Sequence, residues 1–254
     1  MIEIWLGMSN SAMAGVAAAV LFGFAGLLHW ASFRGPLAAF AQRYRGVVAP
    51  FFTSVAVLFS LLFGFLANDV WERNRRGHRA VAVEHEALVT VHALGRVTGA
   101  SAALDEAVRA YVDAAVMKEW TAMARQQAAP EAGQALDILL IAAASAGAAP
   151  NIERALIDSV QRVRAARAER LLLSLQAPEE LRWATALLLA LITQICIAAV
   201  HLDKARPQAA ALVLFTLAVW VAISLVAAYE YPFEPPLSVP SSALANVLKA
   251  LPAR

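Results

Sequence analysis

Apolar residues gather in four runs, 12–30, 47–70, 181–201 and 208–229, each almost free of charged side chains. A helix rises 1.5 Å per residue, so about 20 apolar residues cross a hydrocarbon layer of about 30 Å, and each run predicts a membrane-crossing helix. The runs form two pairs. Between them, residues 71–178 change to charged positions interleaved with apolar ones at helical spacing. The predicted fold class is an all-α membrane protein: four transmembrane helices as two hairpins, with a helical extramembrane body between the second and third. A single domain over 1–254 is expected.

Punctuation places the breaks. In the first hairpin loop Gly35-Pro36 interrupts the helix, and Arg34, Arg43 and Arg45 stand without an acid. Pro50 falls in the first turn of the second run, where a missing N–H costs little. That helix is expected to continue past the membrane surface, with Trp71 as an interfacial anchor. Gly95, Gly99, Pro130, Pro150 and Pro178 divide the middle into helical pieces. One carries the stripe Leu104, Val108, Tyr111, Val112 and Ala115 after a candidate cap at Ser101; another carries Ile152, Leu156, Val160 and Val163 after a candidate cap at Asn151. Residues 136–149 are apolar nearly all round but too short to span, which predicts a buried core helix or a subunit contact. Pro178, Glu179 and Glu180 read as the start of the third membrane helix. Four prolines between Glu230 and Pro240 forbid a helix there, and the tail 230–254 is expected to be extended.

Composition agrees with a bilayer as solvent: 60% of residues are hydrophobic and 16% charged, against about 25% charged in soluble domains. A net charge of +2, with basic residues alternating with acids, implies no nucleic-acid partner. Met1 to Asn10 carries only Glu3, so the first run reads as a retained helix rather than a signal peptide. Cys196 is the only cysteine and is expected to pack inside the third span. Basic residues stand both in the short hairpin loops and on the flanks of the middle body, so the charge rule for orientation does not choose a side.

No catalytic constellation is present: there is no Gly-rich phosphate loop, zinc helix, CxxC or nucleophile elbow. Neither an enzyme nor a cofactor is expected, and no metal site. His78, His85 and His92 recur every seven residues, interleaved with Val81 and Leu88. Seven residues is about 10.5 Å of helix, too far for two of these imidazoles on one chain to share a metal. They read as a solvated face or subunit seam, or as a histidine ring at a pore mouth. Glu84 and Glu86 flank His85 and are expected to be solvated. Glu230 and Glu234 are docking carboxylates or weak cation ligands. Phe51, Phe52, Phe59, Phe63 and Phe65 fill a second span without charge between Pro50 and Asn68. That pattern fits a lipid-facing helix and also an apolar pore lining that gates by dewetting.

Two segments carry a family likeness. Gly46-Val47-Val48-Ala49-Pro50-Phe51-Phe52 and Leu62 to Arg73, with Asn68, Trp71, Glu72 and Arg73, form one; Glu230-Tyr231-Pro232-Phe233-Glu234-Pro235-Pro236 forms the other. On these segments the chain resembles the bestrophin-like family of bacterial membrane proteins, with Pro235 where that family often has glycine. Gly64, Phe65, Trp71, Glu72 and Arg73 are more distantly similar to the end of the pore helix in bestrophin anion channels, with Leu66 and Ala67 where a polar pair is usual. That likeness implies a pore neck at Val57, Leu61 and Phe65. It also implies a homo-oligomer, with a pentamer as the candidate assembly, in a bacterial inner (plasma) membrane. The middle body would be cytoplasmic, and the partners would be the lipid bilayer, further copies of the chain, and small anions such as chloride. The alternative from another class is a non-conducting, membrane-anchored helical scaffold or sensor.

Overall fold

A computed structural model describes residues 2–36, 38–41, 43, 49–235 and 237–252. Gly46, Val47, Val48 and Pro236 of the two family segments, and Arg45 of the first loop, lie outside the described residues. All regular structure among the described residues is helical. Contacts divide the chain into two compact units, Met1–Trp71 with Ala177–Glu230, and Glu72–Gln176 with Tyr231–Arg254.

The first unit holds α1 (Ile2–Leu6), α2 (Asn10–Phe33), α3 (Ala38–Ala41), the N-terminal part of α4 (Ala49–Gly95), α9 (Glu180–Val200) and α10 (Ala205–Ala228). Helices α2, α4, α9 and α10 are long and apolar enough to cross a membrane. Helix α10 begins two residues before Pro207, because proline is tolerated in a first turn where N–H groups have no helical partner. Helices α2, α9 and α10 pack on one another. Apolar contact alone gives little association in hydrocarbon, so buried polar side chains supply much of the specificity. Gln194 Nε2 donates to Leu21 O (3.1 Å) and to Thr216 Oγ1 (2.7 Å), linking all three helices. Gln208 Nε2 donates to Ala198 O (2.8 Å) and Ser32 Oγ (3.2 Å), while His29 Nδ1 lies 2.9 Å from Gln208 Oε1. Trp220 Nε1 donates to Ala14 O at 2.9 Å. Cys196 is buried among these helices.

The second unit holds the rest of α4, then α5 (Ser101–Ala114), a π-helical turn (Ala115–Glu119), α6 (Trp120–Met123), α7 (Pro130–Ala144), α8 (Pro150–Leu175) and α11 (Ser242–Ala250). Its core joins Leu88 and Val91 of α4, the Leu104 to Ala115 stripe, Leu136 and Leu139 of α7, the Leu156 to Val163 stripe, and Val247 of α11. Gly147 takes a left-handed φ of 62° in the turn between α7 and α8, which glycine adopts without steric cost.

Four expectations change. Ser101 and Asn151 are not caps: each lies inside its helix, after Ala100 and Ala149. Pro150 itself opens α8, since its fixed φ suits a first turn. The apolar helix starts earlier than residue 136, at Pro130, and buries Leu136 and Leu139 while leaving Ile138 and Ile141 exposed. The tail is not extended throughout: past the prolines, Ser242–Ala250 is a helix with Leu244 and Val247 buried. Glu84 is not solvated but fully buried.

Glu84 sits in a charged cluster that ties the second unit together. Arg170, also fully buried, donates through Nε and Nη2 to Glu84 (2.9 and 3.0 Å) and through Nη2 to Glu119 Oε2 (2.9 Å). Arg167 Nη2 reaches Glu119 Oε1 at 2.6 Å. The π-helical turn places Glu119 in this core. Removing one partner of a buried ion pair strands the other charge at a cost of about 3–5 kcal/mol. Arg170→Met is therefore expected to lower the thermal midpoint in detergent sharply, and Arg170→Met combined with Glu84→Met to recover part of the loss. An unchanged midpoint in the single variant would contradict the assignment.

Candidate functional site

The membrane part of α4 has one covered face and one bare face. Phe59, Leu66, Ala67 and Val70 are buried. Phe52 packs against the cluster of Ala25, Ile197, Ala198 and Leu212, and the Phe59 ring meets Phe215 of α10 edge-on at 6.1 Å and stacks on Phe63 at 5.7 Å. Val57, Leu61 and Phe65 are 58%, 52% and 59% exposed. At 100° per residue these three positions fall within about 80° of arc. Ser54 and Asn68 fall in the same arc, with Gly64 about 20° outside it, and all three are exposed too. The bare face thus has three large apolar residues in a row, flanked by exposed Leu58, Ser60 and Leu62, with Ser54 and Asn68 beyond its ends.

At the C-terminal end of the span, Asp69 pairs with Arg182 of α9, and Arg182 Nε also meets Glu179 at 2.6 Å. Neither sequence signature pointed to this pair, because its members are distant in the chain. Trp183 is buried, donates from Nε1 to Glu230 Oε2 at 3.2 Å, and meets Trp5 edge-on at 5.5 Å. Glu230 is thereby a structural acceptor.

Beyond the span Trp71 is exposed and Arg73 half-buried. Glu72 accepts from Arg75 Nε (3.0 Å) and Arg79 Nη2 (2.5 Å). The Arg75 hydrogen bond, with Arg79 adding to it, holds the Glu72 carboxyl below its ordinary range. The three histidines have different surroundings within the chain: His78 is exposed, His85 Nδ1 lies 2.8 Å from Ala243 O, and His92 Nδ1 lies 2.6 Å from Asp105 Oδ1. The heptad repeat reflects burial of Val81 and Leu88 beside them. Among the described residues no three His, Cys, Asp or Glu side chains gather to hold a metal.

Residues 231–235 of the family tail segment lie inside the second unit. Pro232 and Phe233 are buried; Phe233 meets Trp120 edge-on at 5.9 Å, and Trp120 Nε1 donates to Val239 O at 3.1 Å. Gly77 on α4 makes this possible, since a Cβ there would stand 3.2 Å from Val239 Cγ2. Burial raises the Glu234 carboxyl above its ordinary value.

The bestrophin-like domain model matches residues 19–244. The chain belongs to the bestrophin-like family. Two solved structures of a bacterial bestrophin homolog from Klebsiella pneumoniae, carrying different point mutations, share the fold of this bestrophin-like protein. One has a TM-score of 0.71 at 11% identity, covering 93% of this chain and 98% of that one. The other has a TM-score of 0.70 at 12% identity, covering 93% and 96%. No curated protein matches the chain.

The most heavily buried charges of this bestrophin-like protein lie outside both signatures. Tyr111 donates its hydroxyl to Glu84, and the Arg170 guanidinium lies 4.5 Å from the Trp120 ring centre. Burial opposes the Arg170 charge, but Glu84 and Glu119 beside it hold its pKa above the ordinary value. Burial, then the Glu84 charge, pushes Tyr111 well above 10. An unfolded tyrosine ionises near pH 10. The raised native pKa therefore gives stability that is fully present below about pH 10 and lost as the pH climbs from there toward the native value. Spectroscopic titration of the native protein is expected to leave one of the four tyrosines un-ionised when the others have titrated. Tyr111→Phe is expected to reduce the alkaline loss of stability; an unaltered alkaline limb would contradict this.

Proposed function

We propose that this bestrophin-like protein is a homo-oligomeric membrane channel for monovalent anions, chloride among them, with the second spans of its copies surrounding an apolar neck at Val57, Leu61 and Phe65. The observation that carries this reading is the mixed chemistry of the bare face of α4. Asn68, exposed at the C-terminal end of the row of large apolar residues, is costly to hold against hydrocarbon and suits water at the mouth of a dry constriction. Between Phe52 and Asn68 the helix bears no charged side chain, and a ring of phenylalanine edges presents positive potential to a passing anion. Hydrophobic constrictions of this kind gate by dewetting.

A bare face on one helix cannot enclose a path by itself, so the reading requires several copies, with a pentamer the arrangement taken here. The second unit is cytoplasmic in this proposal and the membrane is the bacterial inner membrane. Chloride efflux from liposomes holding the purified oligomer is expected to exceed that from empty vesicles. Phe65→Ala is expected to raise it about tenfold, as removing about 1.4 kcal/mol from the barrier would do. Flux equal to empty vesicles for both proteins, with the oligomer intact by size, would return the chain to the scaffold or sensor reading.

A further inference from the structure

Beside the bare face, α4 and α9 form a groove of about 500 Å³, with Leu62, Phe65 and Leu66 on one wall and Leu181 and Thr185 on the other. Thr185 turns its hydroxyl back to Leu181 O (2.8 Å), so it offers no polar group to an occupant. One end of the groove is different: Asp69 and Arg182 line it, and Glu179 joins them through its ion pair with Arg182. The three charged side chains there keep 43%, 50% and 56% of their surface in the order Asp69, Arg182, Glu179. A greasy trough thus ends in a small, open cluster with two carboxylates and one guanidinium, where span and water meet.

We infer that this groove is a binding site for one phospholipid with a zwitterionic primary-amine headgroup, phosphatidylethanolamine in chemical class. The volume is in the range of sites that hold a drug-sized ligand, so it takes part of one acyl chain and the glycerol region rather than a whole lipid. The headgroup chemistry follows from charge. A primary ammonium has three N–H donors for Asp69 and Glu179, while the phosphate faces the guanidinium of Arg182, which binds phosphate as readily as carboxylate. A trimethylated ammonium has no N–H to give, and an anionic headgroup without an amine brings no cation to two carboxylates that share a single guanidinium. The cluster carries one more negative than positive charge, so it does not favour an anionic lipid. The site rests on the membrane placement of α4 and α9, and it shares Phe65 with the proposed neck, which it flanks.

Native mass spectrometry of the intact detergent-purified oligomer, delipidated and then titrated with defined lipids, tests this. Phosphatidylethanolamine is expected to bind at one per chain, about tenfold more tightly than phosphatidylcholine or phosphatidylglycerol of the same acyl chains, a difference of about 1.4 kcal/mol. Thr185→Trp, which fills the trough one helical turn from Arg182, is expected to remove the bound lipid while leaving the thermal midpoint and oligomer mass unchanged. Asp69→Asn combined with Glu179→Gln is expected to erase the preference among headgroups. Equal binding of all three lipids, no lipid bound by the wild-type chain, or lipid retained by a folded Thr185→Trp would each overturn the site. So would a cysteine crosslink showing that a second copy of the chain fills the groove.

Discussion

Hydrocarbon offers no partner to a backbone N–H or C=O, so a chain crossing it must satisfy every such group within its own helices, and its side chains then decide which faces meet. In this bestrophin-like protein that constraint divides the membrane helices into two kinds. Helices α2, α9 and α10 are bound to one another by glutamine and tryptophan hydrogen bonds that have no alternative partner in lipid. Helix α4 meets them on one side only, through Phe52, Phe59 and the ion pair of Asp69 with Arg182. Its other side, bearing Val57, Leu61, Phe65 and Asn68, is not covered by the described residues of the chain. The channel proposal, the requirement for several copies and the lipid groove on the flank of Phe65 all follow from that incomplete coverage.

The second unit meets a different solvent and uses a different device. Its apolar core is interrupted by two carboxylates and two guanidiniums in alternating contact, with Tyr111 and Trp120 closing the cluster. Such a cluster gives weak net stabilisation, because desolvation offsets much of the attraction, but any other arrangement of the same helices would strand a charge. It therefore acts as a register device joining α4, α5, the π-helical turn and α8 in one arrangement. The tail joins the same assembly through Phe233 and Val239 on Trp120, at the place where Gly77 lets it approach α4.

The four spans, the two hairpins and the helical body were legible in the sequence because bilayer thickness converts directly into run length, and the family was legible because its signatures are contiguous. The stripes from Leu104 and Leu156 were legible for the same kind of reason, a 3.6-residue period. Glu84 was misread because local pattern places it beside His85 and Glu86, whereas its partner Arg170 is 86 residues away. Asp69 with Arg182 is hidden likewise, 113 residues apart. The capping errors at Ser101 and Asn151 arose because a good capping residue was near each helix start but the backbone began the helix one position earlier or on proline. Helix α11 is hidden in the sequence because the four prolines before it suggest an extended tail, yet they do not reach Ser242–Ala250.

The central claim is that the bare face of α4 meets water at both ends of a dry neck rather than lipid along its length. Spin labels at single cysteines replacing Ser54, Asn68 and, as lipid references, Leu188 and Leu214, in a Cys196→Ser background reconstituted in vesicles, test it through collision with a polar nickel chelate and with oxygen. The account predicts that labels at 54 and 68 are relaxed by the chelate while those at 188 and 214 are relaxed by oxygen alone. Oxygen-only relaxation at all four positions would contradict it.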